Sequence, residues 1–544
     1  MVSRVMVTSA ATVLALGGVA LGASSAQSAS SARSVPSTGD MVTEGEGLPL
    51  GLPGLPETRS TTVLQPGVTL TRIERGAFDV ATPWVVELSI PSSASSPDPD
   101  APPRSVQDEA SAQDLVRRLD EAGFDAEAQP VRQPAVADVP AGVIGYRVRL
   151  TDQFASKSAA DQDVARLKAA GFSGRSWYSG WDGGSLDKGH WAVNVLTVDP
   201  RTFRGDLGGT FGPDLENRET TTALSAYAHA KAAVNAGFFV LDPNAGAPGD
   251  PAGVGVYDGA LESEMVAGRP ALVLHETARH TAVVRPEWRG TLRTGGKTLR
   301  LDGLNRVPGL IRNCGGDPSD QPTFRPLHDV TCTDPDELVA FTPVFGASTP
   351  SGPGAEVVLD RQDRVVRVMD ERGTVLGRGE RSVQGTGSLA EAIARLRQGE
   401  QAQLRLTLTT PQGGQLVRPG VNVINGGPQL LRSGALHITQ AQDGMVHPGD
   451  PSFAYGWVLQ RNPRTFAGVD GQGRTLLVTV DGRQPDQLGL SIPETAQVSK
   501  ALGMQDAINL DGGGSTAMAS DGRLISHPSD ATGERPVGDA IYIR

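Results

Sequence analysis

The chain has 544 residues, of which 38% are hydrophobic and 5% aromatic, with 67 glycines and 39 prolines. This length exceeds one ordinary domain, and the composition is typical of a loop-rich globular protein, unlike a collagen or a wholly disordered chain. The formal net charge of −12, without a long basic cluster, argues against nucleic-acid binding, because a protein that neutralises phosphates needs a surplus of lysine and arginine.

The first 26 residues have the layout of a secretory signal peptide. Arg4 precedes an apolar run from Val5 to Leu21, and small residues lead to a cleavage site after Ala26. An uncleaved membrane anchor is the alternative for this run. No later segment is apolar and long enough to span a membrane, so we predict export and no transmembrane segment after signal removal. Residues 27–60 are rich in Ser, Gly, Pro and acidic side chains, and we predict a flexible linker over 27–75.

Two similar segments follow, over 76–140 and 141–189. Each has an alternating strand pattern, Trp84–Ile90 in the first and Tyr146–Phe154 in the second, and then a helix that ends in Ala-Gly-Phe. A glycine stands where a left-handed residue would end each helix, at Gly123 and Gly171. This order resembles the SPOR family, which implies two small α/β repeats that bind peptidoglycan. Any amphipathic helix packed on a small sheet would give the same pattern.

The two cysteines, Cys314 and Cys332, lie in one polar, proline-rich region. In an oxidising compartment we expect them to form a disulfide that closes a local loop, worth roughly 3 kcal/mol in the chain-entropy model. A metal site is the alternative, but two cysteines with His328 as the nearby soft ligand fall short of a closed site.

Residues 190–544, with many short strands, glycine turns and few helices, predict one mixed α/β domain. The sequences SLAE at Ser388 and SIPE at Ser491 predict helices that begin with capping boxes. A strand ending at Val480, the second of these helices and a strand ending at Asp511 form a crossover unit with parallel strands. Asp481 and Asp511 would then emerge as neighbours at the sheet edge where ligands bind.

Three predicted strands end in a polar side chain that is soon followed by glycine. The strand ends are Asn235, Asn425 and Asp511, and the glycines are Gly237, Gly426, Gly427 and Gly512 to Gly514. Such glycines let a ligand approach closely and leave N–H groups free to face an anion, and Ser515 could add a hydroxyl. A tight turn in which Asp511 caps its own loop is the alternative.

Two arginines lie on proline- or glycine-bounded turns, Arg464 in NPRTFAG and Arg535 in GERPVGDA. From such turns a guanidinium could reach a phosphate with two hydrogen bonds, or form a surface salt bridge. Glu262 and Glu264 are secondary candidates, although glutamates usually lie on a solvated surface. The histidines are scattered, without an H-x-x-x-H pair or a G-x-S-x-G serine beside them, so zinc-protease and α/β-hydrolase chemistry have no support.

Residues 190–544 also resemble the phosphodiester glycosidase family, through eight segments in order. They are AAVNAGFF, GVGVYDGAL, DGLNRVPG, ELVAFTPVFG, NVINGGPQLLRSG, NPRTFAGVDGQGRTLLVTVDGR, AINLDGGGSTAM and PSDATGERPVGDAIYIR. The resemblance implies a hydrolase that cleaves the bond between a sugar's anomeric carbon and a phosphodiester, releasing free sugar and a phosphomonoester. Ala236 departs from the family, which usually has glycine there, and this puts the substrate fit near Asn235 in question.

From the strand ends and the resemblance together we predict a site at the glycine-flanked carboxylates. The predicted catalytic residues are Asp511, Asp481, Arg464 and Arg535. The predicted substrate-binding residues are Asn235, Gly237, Asn425, Gly426, Gly427, Gly482, Gly512, Gly513, Gly514 and Ser515. Asp511 or Asp481 would act as base or nucleophile, and the arginines and glycine N–H groups would hold the phosphate, because a phosphate leaving group needs charge stabilisation more than protonation.

The residues leave several functional alternatives open. A divalent cation such as Ca²⁺ or Mg²⁺ could be held by Asp481 and Asp511. The favoured hypothesis is a secreted or cell-wall-associated hydrolase whose substrate is a phosphodiester-linked glycan or wall polymer, with the SPOR-like repeats on peptidoglycan. The others are a non-catalytic wall protein that binds peptidoglycan or polysaccharide, and a phosphodiesterase that cleaves the P–O bond.

Overall fold

The computed structural model describes residues 47–91, 103–184, 188–266, 268–314, 319–322, 331–447 and 449–544. The predicted signal peptide, the predicted linker before residue 47 and His328 lie outside the described residues. All described residues fall within one compact unit. None of the helices in these ranges has the length and apolar character needed to cross a bilayer.

Residues 57–76 form two strands of the central sheet, so the prediction of a linker up to residue 75 is wrong there. The sequence VTLT alternates polar and apolar residues, the pattern of a half-buried strand, and Val68, Leu70 and, further along, Ile73 are buried. The elements up to residue 198 are β1 (Glu57–Gln65), β2 (Val68–Gly76), β3 (Trp84–Leu88), β4 (Val106–Gln107), α1 (Glu109–Glu121), β5 (Ala126–Gln133), β6 (Gly142–Leu150), α2 (Lys157–Ala169), β7 (Gly174–Tyr178), a 3₁₀ turn (Ser179–Trp181) and β8 (His190–Val198).

The two predicted repeats share one sheet and form a single small domain. Strand β6 pairs with β4, β5 and β3, and β3 also pairs with β7. Both helices end as predicted, because Gly123 and Gly171 adopt φ of 83° and 86°. This domain is inserted between β2 and β8, which are paired neighbours in the central sheet.

The middle of the chain builds small sheets that are antiparallel except for the pair β18 and β22, which is parallel. Its elements are β9 (Leu207–Thr210), β10 (Glu219–Thr220), α3 (Thr221–Tyr227), β11 (Ala232–Asn235), β12 (Gly255–Tyr257), β13 (Ala260–Ser263), β14 (Ala271–His275), β15 (Ala282–Val284), β16 (Glu287–Thr294), β17 (Lys297–Arg300), β18 (Gly303–Leu304), β19 (Ile311–Arg312), β20 (Gln321–Pro322), β21 (Thr331–Thr333), β22 (Leu338–Phe341), β23 (Gly352–Leu359), β24 (Val365–Arg372), β25 (Arg381–Gly385), α4 (Gly387–Ala394) and β26 (Ala402–Thr409). The predicted disulfide is present between Cys314 and Cys332. Helix α4 has Thr386 as its N-cap, so the predicted capping box at Ser388 is wrong; Asp336 accepts the Ser388 N–H instead.

The last part of the chain completes the central sheet. Its elements are β27 (Val421–Asn425), β28 (Gln429–Arg432), β29 (Ala435–Leu436), α5 (Pro451–Ala454), a π-helix (Tyr455–Leu459), β30 (Arg464–Asp470), β31 (Thr475–Val480), α6 (Ile492–Ala501), β32 (Met504–Asn509), a 3₁₀ turn (Gly513–Ser515), β33 (Met518–Ser520), β34 (Arg523–Leu524), β35 (Pro536–Val537) and β36 (Ala540–Ile543). Helix α6 carries the predicted capping box between Ser491 and Glu494.

The central sheet is antiparallel throughout, in the order β1-β2-β8-β31-β30-β32-β28-β29. Strands β31 and β32 run parallel to each other, as predicted, but β30 lies between them and pairs with both. Asp481 and Asp511 therefore leave the same edge of the sheet on either side of β30 and are not direct neighbours. The start of β30, at Arg464, lies between them.

Candidate anion-binding active site

The backbone of Pro463 is the point at which two predicted site segments meet. A Cβ at Gly482 would lie 2.8 Å from Pro463 N, and one at Gly512 would lie 2.9 Å from Pro463 O. Gly513 N–H also donates to Pro463 O at 2.9 Å. Only glycine permits such close backbone approach, so the glycines after Asp481 and Asp511 are explained by the packing of three loops at one sheet edge.

Gly514 supports an arginine in the same way. A Cβ on Gly514 would overlap the guanidinium of Arg535 and the carboxylate of Asp530. Arg535 pairs with Asp530 through two hydrogen bonds, of 2.8 and 3.0 Å, and is partly buried. The structure therefore brings Arg535 to the glycine loop, as a member of a partly buried ion pair.

Arg464 is a buried cation at this edge whose two hydrogen bonds go to uncharged groups. Its side chain is 3% exposed, and its Nε and Nη2 donate to the carbonyl oxygens of Leu490 and Trp457 at 2.9 and 2.6 Å. Its Nη1 makes no hydrogen bond to any of the described residues. Burial lowers the pKa of Arg464 to about 9, and the neighbouring Arg483 adds to this fall. A buried arginine held by carbonyl groups, with no ion-pair partner among the described residues, suits an anion as ligand.

Arg483, which the sequence argument did not single out, extends this cationic surface. It adopts φ of 60°, a conformation uncommon for residues other than glycine, and its guanidinium donates to Asn462 Oδ1 at 2.8 and 3.1 Å. The guanidinium also lies 5.7 Å from the ring centroid of Trp457. On the other side, burial and the charge of Arg535 lower the pKa of Arg218. Cations gathered in this way oppose the net negative charge of the chain locally.

Asp481 forms a pair with His527, a residue that the sequence argument also missed. Asp481 Oδ2 lies 2.9 Å from His527 Nδ1, and Asp481 is buried while the His527 side chain is 68% exposed. Asp481 Oδ1 is buried without a hydrogen-bond partner among the described residues. Burial raises the pKa of Asp481, and the hydrogen bond from His527 opposes this. The one feature of the sequence that could have drawn attention to His527 is its position directly before the last of the eight family-like segments.

Asn235 holds the Asp511 loop in place. It is fully buried, donates from Nδ2 to Asp511 O at 2.7 Å, and accepts from Thr465 Oγ1 at 2.6 Å and Ala517 N at 3.1 Å. Asp511 itself is mostly buried, and its Oδ1 accepts the N–H of Gly512 at 3.1 Å. The observed contacts of Asn235 therefore fix the loop that carries Asp511.

The other predicted strand ends form a common rim. Asn425 Oδ1 accepts Phe238 N–H at 2.9 Å, and a Cβ at Gly237 would lie 2.5 Å from Asn425 Nδ2. Gly427 N–H donates to Asn509 O at 2.8 Å, and a Cβ at Gly426 would lie 2.7 Å from the same oxygen. These contacts explain the rim glycines by close packing.

Three further features complete this region. Ala236 is not among the residues with positive φ, so its departure from glycine strains no backbone. Ser515 is buried in the 3₁₀ turn, and its N–H donates to Gly512 O. Among the described residues, no group of three or more His, Cys, Asp and Glu side chains is arranged to hold a metal ion, so a cation at Asp481 and Asp511 stays a prediction.

Glu262 and Glu264 do not lie on a solvated surface, so that expectation is wrong. Both are buried within the middle of the chain. Glu262 accepts from Thr342 Oγ1 at 2.7 Å, and Glu264 pairs with Arg306 at 3.0 Å. Their short β-hairpin faces a buried polar network, which the local sequence does not reveal.

Comparisons with known proteins agree with the division of the chain. Residues 354–544 match the family model described as phosphodiester glycosidase, and residues 104–174 match the SPOR domain. Arg464, Asp481, Asp511 and Arg535 all lie in the first of these matches. The second runs from β4 to the first residue of β7, so it leaves out β3 and most of β7, which belong to the same small domain.

Individual proteins are similar over different shares of the chain. A crystal structure of a Burkholderia pseudomallei protein described as exported is 31% identical, with a TM-score of 0.80, covering 92% of this chain and 99% of that one. The N-acetylglucosamine-1-phosphodiester alpha-N-acetylglucosaminidases of Mus musculus and Bos taurus are each 34% identical, over 115 and 113 residues, 21% of this chain in both cases and 22% and 21% of theirs. This chain spans about a fifth of the length of these curated relatives.

Proposed function

We propose that this chain, which matches the phosphodiester glycosidase family over residues 354–544 and the SPOR domain over 104–174, hydrolyses a sugar-1-phosphodiester at the glycosidic C–O bond. The products are a free sugar and a phosphomonoester. The observation that carries the proposal is Arg464, a buried arginine oriented by two carbonyl oxygens at the sheet edge between Asp481 and Asp511. The N–H groups of Gly512 and Gly513, which the sequence predicted to face an anion, donate instead to Asp511 Oδ1 and Pro463 O.

The phosphate would be bound by the cationic side of the site. A departing phosphomonoester is a weak base, so stabilising its charge lowers the barrier more than protonating it. Arg464 is preorganised for this role, because its two hydrogen bonds to Leu490 O and Trp457 O fix its guanidinium before the substrate arrives. Arg483 and Arg535 would add positive potential around it.

The Asp481–His527 pair would handle the proton. With Asp481 accepting from Nδ1, the other ring nitrogen of His527 is the basic one, and it takes a proton from the water that attacks the anomeric carbon. The new bond joins that water oxygen to the sugar, the bond between the anomeric carbon and the phosphate oxygen breaks, and the electron pair leaves with the phosphate. Asp511 provides the second carboxylate that glycoside hydrolysis generally uses. Asp481, predicted as base or nucleophile, thus acts by orienting His527.

The substrate is proposed to be a phosphodiester-linked glycan or wall polymer met outside the cytoplasm. Support comes from the SPOR domain, whose family binds peptidoglycan, from the similarity to a protein described as exported, and from the disulfide, which is typical of oxidising compartments.

The test is release of reducing sugar from the methyl phosphodiester of α-N-acetylglucosamine 1-phosphate by purified residues 27–544. Asp511→Asn and Asp481→Asn are compared with the unchanged chain, with and without EDTA. We expect turnover by the unchanged chain and its loss in folded Asp511→Asn. Absence of turnover on this compound, on nucleotide-linked sugars and on teichoic fragments, with or without divalent metal, would favour a non-catalytic wall-binding protein.

The bond that breaks is tested with oxygen-18 water. Cleavage of the glycosidic bond leaves the label on the sugar, whereas a phosphodiesterase that cleaves the P–O bond leaves it on the phosphate.

A further inference from the structure

The π-helix Tyr455–Leu459 connects the SPOR domain to the anion site. Its carbonyl groups bind site residues directly: Trp457 O accepts Arg464 Nη2 at 2.6 Å, and Gly456 O accepts Asn462 Nδ2 at 2.9 Å. Asn462 in turn accepts from Arg483. The direction of these carbonyl groups therefore sets the positions of both arginines. π-Helices are rare and frequently found at functional sites.

The first residue of the π-helix is anchored in a buried charged network of the SPOR domain. Tyr455 is 4% exposed, and its hydroxyl donates to Glu87 Oε2 at 2.7 Å and accepts from Arg147 Nη1 at 2.8 Å. Arg149 binds Glu87 at 2.8 Å and Asp182 at 2.6 Å. Each charge in the network has an opposite partner, so Tyr455 is held by a set of groups that is itself fixed.

A second contact fixes the helical turn that precedes the π-helix. Ser452 Oγ, which is buried, accepts the N–H groups of Ser105 and Val106 in the SPOR domain, both at 3.0 Å. The apolar core of the SPOR domain is also continuous with that of the central sheet, since Val86 and Val148 belong to the same cluster as Phe466. The SPOR domain is thus packed as part of the body that carries the site.

We propose that Tyr455 is a positioning residue for Arg464 and that the SPOR domain, through it, supports the catalytic site. Tyr455 does not touch the substrate; it holds the π-helix so that Trp457 O orients the guanidinium. This proposal rests on the proposed function for the identity of the ligand, a phosphate group.

The experiment uses the full chain and inorganic phosphate as the probe, measured by calorimetry apart from any turnover. Tyr455→Phe removes the hydroxyl and keeps the ring. Tyr146→Phe is the matched control, because it removes the hydroxyl of a tyrosine in the SPOR domain that hydrogen-bonds to Glu109 and, among the described residues, to none of Arg147, Glu87 and the π-helix. We expect Tyr455→Phe to weaken phosphate binding about tenfold, in the range of coupling between contacting residues, with an unchanged affinity for Tyr146→Phe.

Thermal unfolding separates positioning from stability. A merely structural role for Tyr455 would lower the unfolding temperature and leave the phosphate affinity of the folded protein unchanged, and that result would overturn the proposal. An equal loss of affinity in Tyr146→Phe would overturn it as well. If Tyr455→Phe does not fold, Ser452→Ala decides, with a several-fold weaker affinity expected.

Failure of the proposed hydrolase function can be distinguished from failure of the positioning role of Tyr455. A chain that binds phosphate in a Tyr455-dependent way but hydrolyses no phosphodiester refutes the hydrolase and keeps the positioning role. A chain that binds no phosphate at millimolar concentration refutes the positioning role.

Discussion

Arg461 and Arg464 are neighbouring buried arginines in opposite electrostatic surroundings, and replacing each with methionine should separate folding from ligand binding. Arg461 is 1% exposed and pairs with Glu494 at 2.7 Å. Arg464 is as buried, but its hydrogen bonds go to carbonyl oxygens. Methionine keeps much of the volume of arginine and removes the charge.

The magnitudes follow from these surroundings. The fall of the Arg464 pKa to about 9 corresponds to about 5 kcal/mol of unfavourable interaction for the charged form, which Arg464→Met relieves. The variant also loses two hydrogen bonds from a charged donor, about 1.5–3 kcal/mol each, so the two effects nearly cancel. We expect a change in unfolding free energy below about 2 kcal/mol. Arg461→Met leaves Glu494 buried without this partner, and we expect a loss of about 3–5 kcal/mol.

The assay pairs urea unfolding with kcat/KM on the phosphodiester. Arg464→Met should keep the urea midpoint close to that of the unchanged chain and lose at least about 10²-fold in kcat/KM, since it removes a preorganised charge from the site. Arg461→Met should show a clearly lower midpoint. If Arg464→Met were as destabilised as Arg461→Met, the charge of Arg464 would have to be compensated in the folded chain, and the argument for an anion site would fail.

Three further predictions test other parts of the site. His527→Ala should lower kcat about 10²-fold or more and flatten the pH dependence of kcat, because Asp481 then has no imidazole to orient; His280→Ala, another exposed histidine, should change neither. Gly514→Ala should lower kcat/KM at least tenfold, because the added methyl group overlaps the ion pair of Arg535, whereas Gly471→Ala, whose methyl group would only touch Gln505, tests the cost of adding one elsewhere. Burial raises the pKa of Asp539 from 3.8 to about 6. The unfolding free energy of Asp539→Asn, relative to that of the unchanged chain, should therefore increase by up to about 3 kcal/mol as the pH rises from 4 to 7.

The sign of the Asp539 effect follows from proton linkage. A carboxyl with a raised pKa in the folded state contributes stability below its unfolded pKa, and that contribution is lost as the pH rises through about 6. A pH-independent difference between the two proteins in urea unfolding would contradict the prediction. For His527, an unchanged pH profile with reduced kcat would show that the histidine takes no part in proton transfer.

The candidate site residues nearest the sheet edge were predictable because each lies at an end of a strand. Arg464, Asp481 and Asp511 flank strands of clear apolar pattern, and their glycines mark close approach. Arg483 and His527 were missed because each owes its place to a distant contact, with Asn462 and Asp481 respectively. No local period or motif encodes such contacts.

The fold was likewise predictable only where it depends on residues close together in the sequence. Helix α6 and its capping box were predictable, since the cap is made by residues three positions apart. The insertion of β30 between β31 and β32 was not, because β30 precedes both in the chain and its place depends on pairing with each. The linker prediction failed at 57–76 for the related reason that β2 has its partner, β8, on the far side of a whole domain.

The pairing of β2 with β8 across a whole domain also affects how the chain folds during its synthesis. The strands of the central sheet lie between Glu57 and Asn509 in the sequence. The second neighbour of β8 in this sheet is β31, which lies near the end of the chain. Contacts so distant in sequence form slowly, because long loops must close before any pairing stabilises them. While the ribosome is still adding residues, the early strands have no complete sheet to join. The chain should therefore leave synthesis without its central sheet, a state compatible with the export proposed above.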